Sequence, residues 1–250
     1  MTSRMQKPPS FRVAFSTPWF QIEESETSSA GEAPYYRMTG PDGVICLPFT
    51  PNGEMLLIRQ FRPSLQRETL EIPAGSIDRG EMPIVAAPRE ILEETGYRCA
   101  ILFPLGAGRL YLNRCTQAEH LFLGLDAEPV ANAHPESGIT TVVVARDVFR
   151  QMVLRDEIEQ TAIMSIFGLV SAKLGVDLMR EFAGFHEHRH GLAGDLRRAA
   201  GAASDPGHRR GLRSECDAAR RRGHGQRAAR PRPRPHAPGC QPAGCAHLRA

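Results

Sequence analysis

The last 65 residues of this chain limit what it can fold into. From residue 186 to residue 250 the sequence contains four Leu and no Ile, Val, Phe, Met, Tyr or Trp. This segment carries 14 Arg and five acidic residues, whereas the first 185 residues have a net charge of −6. A segment without large apolar side chains cannot offset the entropy that ordering costs. We therefore predict a disordered tail over residues 184–250, behind a folded and acidic body.

Composition and patterning also exclude several classes of protein. No stretch approaches the roughly 18 to 20 consecutive apolar residues of a membrane-spanning helix. The first residues, MTSRMQKPPSFRV, lack the apolar core of a secretory signal. The six Cys residues are scattered, without the spacing of a disulfide framework. We therefore expect a cytoplasmic protein that does not contact a membrane.

Short runs of β-branched and aromatic residues, separated by Pro, Gly and Asn, predict a strand-rich body. Pro51-Asn52-Gly53 is a turn signal, so we predict that residues 44–49 and 54–61 form a β-hairpin. The predicted strand segments are 11–24, 35–38, 44–49, 54–61, 68–75, which runs into a loop, 98–105, 118–125 and 139–145.

The clearest helix prediction covers residues 83–95. Pro83 suits the first helical position, and Gly96 suits the position just past the end. Pro88 lies inside this helix, where it removes the hydrogen bond to the Ile84 carbonyl and costs on the order of 3 kcal/mol unless the helix kinks. We therefore expect a kink that displaces the side chains after Pro88.

Two further helices are predicted near the end of the body. Asp147 is a candidate N-cap for the first of them. Asp156, with Glu159 three residues later, is a candidate N-cap for the second, which runs to Gly175. One helix between strands and two helices after them favours a mixed sheet covered by helices on both faces.

Three glutamates of the 83–95 helix lie within about 100° of one another on a helical wheel. Glu90, Glu93 and Glu94 therefore share one face, which lies opposite an apolar face. Like charges at this spacing repel, and Arg89 can pair with Glu93 four residues later. Clustered carboxylates bind hard cations such as Mg²⁺, usually together with substrate phosphates. The alternative is a solvated acidic helix face.

The residues around this helix match a known family pattern. The segment GSIDRGEMPIVAAPREILEETGY, residues 75–97, fits all nine fixed positions of the Nudix box. The chain therefore resembles the Nudix hydrolases. Motifs outside the box are similar to those of ADP-ribose pyrophosphatases and related nucleoside diphosphate sugar hydrolases: PWF at 18–20, RQFR at 59–62, LEIPAG at 70–75, GRL at 108–110, NR at 113–114, and DEI at 156–158 in place of the family's GEI.

The resemblance, which covers roughly residues 11–180, implies an α/β fold, namely the Nudix α/β/α sandwich with a mixed sheet and N-terminal antiparallel strands. The disordered C-terminal tail predicted from composition has no counterpart in the family. The chain is thereby divided into N-terminal strands at 1–43, which are a candidate dimerisation element, a Nudix hydrolase domain at 44–183 and the tail at 184–250. In this family water attacks a pyrophosphate phosphorus while box glutamates hold Mg²⁺, and we expect Mn²⁺ to substitute. Gly75 would let the loop turn against the helix.

The resemblance also implies roles for individual residues. The metal ligands would be Glu90, Glu94 and the Ala74 carbonyl. Glu93 would be a third carboxylate ligand or the group that orients one. Arg89 would hold the glutamates in place.

The general base in related pyrophosphatases is a loop glutamate after the box. The best match in this sequence is Glu136, in the loop HPESG. Glu93 and Glu157 are the other candidates, and an exposed loop acid without catalytic function is the alternative for Glu136.

Four residues are candidates for binding the substrate. Arg59, Arg62 and Arg109 are expected to contact phosphate oxygens, because guanidinium groups bind them in bidentate fashion. Trp19 is a candidate to stack on an adenine across a homodimer, since relatives exchange N-terminal strands. The alternatives are surface solvation for Arg62 and Arg109, and core packing for Trp19.

The resemblance therefore implies Mg²⁺-dependent hydrolysis of ADP-ribose or a related nucleoside diphosphate sugar to a nucleoside monophosphate and a sugar phosphate. Another nucleoside diphosphate, such as GDP-mannose, a dinucleotide or a capped RNA end, is an alternative substrate. A Nudix-fold sensor that binds a nucleotide sugar without cleaving it is a different alternative. The intact carboxylate cluster disfavours the sensor, because a pure binder has no reason to keep mutually repulsive charges.

The tail has three further interpretations. His236, Cys240, Cys245 and His247 resemble zinc ligands, but no apolar residues surround them. The Arg runs can attract nucleic acid, but the tail offers no aromatic residue to stack on bases, so we expect no nucleic acid partner. Residue types with AT-rich codons are missing from the tail, which favours out-of-frame translation after residue 185 to 200 of a GC-rich gene.

Overall fold

The structure is a computed structural model that describes residues 10–26 and 33–179, together with the single residue Gly194. All of these residues belong to one of two structural units, the one that spans Met1–Asp205. The tail predicted over 184–250 lies, apart from Gly194, outside the described residues. The zinc, nucleic acid and reading-frame interpretations of that tail lie outside them as well.

Ten strands and three helices are present in the described residues. The strands are β1 (Phe11–Ser16), β2 (Gln21–Ser25), β3 (Tyr36–Thr39), β4 (Gly43–Pro48), β5 (Met55–Arg62), β6 (Arg67–Glu71), β7 (Ala74–Ser76), β8 (Tyr97–Gly108), β9 (Glu119–Pro129) and β10 (Ile139–Val144). The helices are α1 (Pro83–Thr95), α2 (Arg146–Leu154) and α3 (Thr161–Leu174).

The described strands form three sheets. β1, β2 and β3 make an antiparallel N-terminal sheet. In the second sheet β5 lies between β10 and β6, and the third sheet has the order β7-β4-β9-β8. β4 and β9 run parallel, whereas β7 and β8 are antiparallel to their neighbours, so the third sheet is mixed.

β4 positions the core because all six of its residues are buried. Val44 and Cys46 belong to the apolar cluster under α1. Ile45 and Leu47 belong to a larger cluster that includes α3 and the second sheet. Alternate residues of a strand point to opposite faces of its sheet. The mixed sheet therefore has α1 on one face and α3 on the other, and the predicted fold class is confirmed.

The hairpin predicted for residues 44–49 and 54–61 is wrong. Phe49 and Met55 form a single bridge beside the turn, but β4 pairs with β7 and β9 while β5 pairs with β6 and β10. Because β4 already has a neighbour on each edge, the chain passes into the second sheet after the turn. The two strands still share the larger apolar cluster.

α1 has the predicted bounds. Pro83 is its first residue, and Gly96 follows it in the left-handed conformation (φ 73°), where the Gly96 N–H donates to the Leu92 carbonyl. The positive φ explains why glycine suits this position. None of the helices in the described ranges has the length and apolar composition needed to cross a membrane.

The predicted caps of α2 and α3 are wrong. α2 begins one residue before Asp147, which lies in its first turn. α3 begins after Gln160 and not after Asp156, whose φ of 57° places it in a turn. The Gln160 side chain accepts a hydrogen bond from the Ile72 N–H over 2.9 Å, which ties the start of α3 to the sheet. The predicted end at Gly175 is confirmed.

Candidate active site

Glu90 and Glu94 lie on the buried side of α1, with exposed fractions of 8% and 6%. Ala87 and Ile91 are buried on the same side. The expectation that the carboxylate face lies opposite the apolar face is therefore wrong for these two glutamates. The physical reason is that β7 packs against α1 and covers the acidic positions together with the apolar ones.

Gly75 makes room for the Glu90 carboxylate. A Cβ atom on Gly75 would lie 2.2 Å from the Glu90 Cδ and Oε2 atoms and 2.4 Å from its Oε1 atom. Any side chain at this position would push Glu90 away from β7. This close approach supports the role predicted for Gly75, which is to let the loop meet the helix.

Glu94 is bound to the neighbouring residue of the same loop. The Ala74 N–H donates to the Glu94 Oε2 atom over 2.8 Å. Burial raises the pKa of Glu94 to about 8, the Ala74 hydrogen bond opposes this shift, and the charges of Glu90 and Glu136 add to it. A carboxylate in such surroundings is stabilised by any cation that binds beside it.

Arg89 uses all five of its N–H donors within the site. Its Nε and Nη2 atoms donate to the two carboxylate oxygens of Glu81, over 3.0 and 2.8 Å. Its Nη1 atom donates to Glu90 over 2.6 Å and to Glu93 over 3.1 Å, and Nη2 also donates to the Ser76 carbonyl over 3.0 Å. The hydrogen bonds to Glu81 and Glu90 raise the pKa of Arg89 against the effect of burial. Arg89 therefore orients the glutamates and has no donor left for a substrate.

Glu93 is in a different environment from the two buried glutamates, because 51% of its side chain is exposed. Within the described residues, no three His, Cys, Asp or Glu side chains lie close enough to form a metal-binding group. Mg²⁺ does not require three, since it is commonly bound by one or two carboxylates together with waters and substrate phosphates. The buried carboxylates of Glu90 and Glu94, beside the Ala74 backbone, therefore fit a hard divalent cation.

Pro88 does not disturb this arrangement. α1 continues through Pro88 to Thr95 as one helix. Glu90 still lies against Gly75, and Glu94 still binds the loop. The helix therefore accommodates Pro88 while both of these contacts are present.

A cavity of about 580 Å³ is lined mainly by β5, β6 and the segment between α2 and α3. We call it the arginine cavity, after Arg59, Arg62 and Arg67 in its lining. The Arg62 Nε and Nη2 atoms donate to the carboxylate of Glu71 over 2.7 and 2.5 Å, while 42% of the Arg62 side chain is exposed. The charge of Arg62 lowers the pKa of Glu94. Neither Glu90 nor Glu94 is among the residues that line the cavity.

Glu136 lies in the loop 130–138, beside the end of α1. Its N–H donates to the Glu93 carbonyl over 2.8 Å, and its charge raises the pKa of Glu94. Glu93 and Glu157, the other candidate bases, are each paired with an arginine. Glu136 has no ion pair in the described part of the chain, so its carboxylate is the least committed of the three.

A second cavity, of about 370 Å³, includes β7 and the residues around Trp19. We call it the tryptophan cavity. Trp19 is 75% exposed, so core packing is wrong for this side chain. Arg109 lines neither cavity; its Nε atom donates to the Thr116 carbonyl over 3.2 Å. Substrate binding by Arg109 stays a prediction.

Comparison with known proteins identifies the part of the chain that carries this site. The NUDIX domain matches residues 40–160. This segment belongs to the Nudix family. The Nudix segment contains α1, β7 and the three arginines of the arginine cavity, and the resemblance inferred from the box is confirmed.

Two relatives of the Nudix segment are named as pyrophosphatases. The ADP-ribose pyrophosphatase of Bacillus subtilis (strain 168) is 37% identical over 83 residues, which are 33% of this chain and 45% of that protein. The ADP-sugar pyrophosphatase of Mus musculus is 52% identical over 44 residues, 18% of this chain and 20% of that protein. The chain matches less than half the length of either relative.

A solved structure of an ADP compounds hydrolase has a similar fold, with a TM-score of 0.57 and 22% sequence identity. The likeness covers 69% of this chain and 97% of that chain. At this identity it supports the Nudix fold alone. The fold and the named relatives together agree with the predicted ADP-ribose pyrophosphatase branch.

Two acidic partners of the site are missed by the sequence reasoning. Glu81 binds Arg89 through both carboxylate oxygens, and its fixed place in the Nudix box is a signal that could have found it. Glu71 binds Arg62 in the same way. The sequence contains no comparable signal for Glu71, because this contact depends on how β5 and β6 pair.

Proposed function

We propose that the chain hydrolyses the pyrophosphate bond of ADP-ribose or of a related nucleoside diphosphate sugar, giving a nucleoside monophosphate and a sugar phosphate. The observation that carries the proposal is the burial of Glu90 and Glu94 on adjacent turns of α1, against a glycine loop. The names of the curated relatives support this substrate class. The tryptophan cavity, which includes β7 beside the glutamates, and the arginine cavity provide space for parts of such a substrate.

The proposal includes Mg²⁺ as the cation, with Mn²⁺ as a substitute. Glu90, Glu94 and the Ala74 carbonyl would hold it, and Glu93 would be a further ligand or an orienting group. When bound, the cation neutralises substrate charge and lowers the pKa of water. The donor set supports this choice, because carboxylate and carbonyl oxygens are the ligands that hard cations prefer.

The chain's own cations would bind the rest of the diphosphate. Arg62 spends two N–H donors on Glu71, and the described residues offer its other three no partner. These donors and the exposed Arg59 side chain can reach phosphate oxygens in the arginine cavity. Arg109 is the third proposed phosphate ligand. Trp19 would stack on the nucleobase in the tryptophan cavity.

Glu136 is the proposed general base. Its carboxylate oxygen would accept the proton of the attacking water, because its loop lies beside the end of α1 and no arginine of the described ranges pairs with it. A carboxylate that is not committed to an ion pair keeps a lone pair available for proton transfer.

The N-terminal strands at 1–43 are proposed to bring two copies of the chain together as a homodimer around the domain at 44–183. β1 is an edge strand, and its Val13 and Phe15 side chains are exposed. Exposed apolar groups on a sheet edge favour association with another chain. The cytoplasm is the proposed location, which the free thiols of the described cysteines support.

Substitution of the buried glutamates tests the proposal. We expect Glu90→Gln and Glu94→Gln each to lower kcat for ADP-ribose by roughly 100-fold or more, because each change removes a charge that a bound cation requires. Turnover is measured as phosphate released after a coupled phosphatase, with Mg²⁺ or Mn²⁺. The matched control is Glu128→Gln, an exposed glutamate on β9, which should act like the wild type. Equal turnover by the wild type and both variants on every diphosphate sugar would refute the proposal that the chain hydrolyses these substrates at this site.

A further inference from the structure

Ile72 and Pro73 carry the chain from β6 in the second sheet to β7 in the mixed sheet, and we call them the linking segment. Neither residue belongs to a strand. The next residue is Ala74, whose N–H binds Glu94 and whose carbonyl is a proposed cation ligand. The contacts of the linking segment therefore help to fix where Ala74 lies against α1.

Two hydrogen bonds hold the linking segment. The Cys46 N–H on β4 donates to the Pro73 carbonyl over 2.9 Å. The Ile72 N–H donates to the Gln160 Oε1 atom over 2.9 Å, although Gln160 lies 88 residues further along the chain. Ile72 is fully buried, and a buried N–H that loses its acceptor is unfavourable. Without Gln160 the segment would therefore have a reason to move.

Gln160 stands at the N-cap position of α3, yet its side chain makes no capping hydrogen bond. Ser, Thr, Asp and Asn are preferred at this position, because their short side chains accept from the first N–H groups of their own helix. The longer glutamine side chain reaches the linking segment instead. Since a backbone N–H can only donate, the amide must present its oxygen to Ile72, and its orientation is fixed.

We propose that Gln160 is a positioning residue for the cation site. It holds Ile72 at the start of the linking segment, and thereby keeps Ala74 in its place against Glu94. Gln160 acts through the backbone of residues 72–74 and does not itself bind the cation.

This inference rests on the proposed function, since it concerns the cation of the same site. It gives a polar side chain outside the Nudix box a role in cation binding. Loss of the Gln160 acceptor should therefore weaken cation binding before any substrate is added.

Binding of Mn²⁺ without substrate tests the proposal. The full chain is titrated with Mn²⁺, and the free ion is measured by electron paramagnetic resonance. Gln160→Met keeps the length of the side chain and removes its oxygen. We expect this variant to bind Mn²⁺ about tenfold more weakly than the wild type, at the lower end of the range for residues that orient metal ligands.

Gln160→Glu is the conservative variant, because it keeps both the length of the side chain and an acceptor oxygen. It should bind Mn²⁺ as the wild type does. The titrations are done in about 1 M KCl, where a Debye length of about 3 Å limits direct attraction between the added carboxylate and the cation.

The matched control is Ser25→Ala. The Ser25 Oγ atom accepts the Tyr35 N–H over 2.8 Å, so this change also removes a side-chain acceptor from a backbone N–H, but beside the N-terminal sheet. Its affinity for Mn²⁺ should equal that of the wild type. If Gln160→Met does not fold, Gln160→Asn replaces it, because the shorter amide cannot reach Ile72 and should weaken binding in the same way.

Three results would overturn the inference and leave the proposed function standing. They are equal affinities in the wild type and Gln160→Met, a loss of affinity in Gln160→Glu as large as that in Gln160→Met, and an equal loss in Ser25→Ala. The last of these would mean that affinity follows general stability. A wild type that binds no Mn²⁺ would instead overturn the proposed cation, on which turnover by Glu90→Gln gives separate evidence.

Discussion

Two arginines of this molecule bind a glutamate in the same bidentate manner but differ in how many N–H donors remain available. Arg89 donates all five of its N–H groups to Glu81, Glu90, Glu93 and the Ser76 carbonyl. Arg62 donates two N–H groups to a single glutamate, and its other three have no partner among the described residues. All N–H donors of Arg89 are therefore engaged within the protein. Arg62 is positioned by Glu71 and keeps N–H donors that a ligand can use.

The difference teaches how arginine in a predicted site can be assigned. A residue whose donors are all satisfied can only position other groups, because a phosphate would have to displace an existing charge-assisted hydrogen bond. A residue with spare donors beside a cavity can bind substrate directly. By this criterion Arg89 is a positioning residue, and Arg62 is the better candidate for contact with the diphosphate.

The largest effect is expected from Arg89→Lys. A lysine ammonium has three donors on one nitrogen and cannot reproduce the planar fork that reaches three glutamates. We expect kcat/KM to fall by roughly 100-fold and the free energy of unfolding to fall by about 2–4 kcal/mol, because partly buried carboxylates lose their partner. Both quantities are measured on purified protein, by steady-state kinetics and by urea unfolding.

The matched control for this change is Arg79→Lys, in the exposed loop before α1. It should leave both quantities close to the wild-type values. An Arg89→Lys protein with wild-type stability would contradict the conclusion that the five hydrogen bonds donated by Arg89 stabilise the fold.

Arg62→Gln should have a smaller effect, mainly on substrate binding. Removal of the three spare donors is expected to raise KM for ADP-ribose by about tenfold, the value of one charge-assisted hydrogen bond, while kcat changes little. Arg67→Gln is the control, since Arg67 lines the same cavity but pairs with the exposed Glu159. Equal increases of KM in both variants would mean that the cavity acts only through its overall charge.

Local signals in the sequence predict some of the features that distinguish Arg89 from Arg62. The bounds of α1 follow from Pro83 and Gly96, and the Nudix box marks Arg89 as a central residue. The burial of Glu90 could not be predicted, because a helical wheel assigns every charged side chain to solvent and does not know where β7 packs. The glutamate partner of Arg62 depends on the pairing of β5 with β6, which local patterns do not encode.

The smallest expected effect is on the pH dependence of stability, and it concerns the ion pair between Arg62 and Glu71. Burial raises the pKa of Glu71, but hydrogen bonds from Arg62 and Thr69 outweigh it, so this pKa lies below its ordinary value. A carboxylate whose pKa is lowered by folding stabilises the protein above the pKa of the unfolded chain, about 4.3, and loses that contribution as pH falls through the folded value. Glu71→Gln should therefore be about 1 kcal/mol less stable than the wild type at pH 7, and this difference should shrink as the pH falls below about 4. Urea unfolding from pH 7 to acidic pH measures the difference in free energy of unfolding between the two proteins. A difference that stays constant with pH would mean that the charge of Glu71 does not strengthen its contact with Arg62.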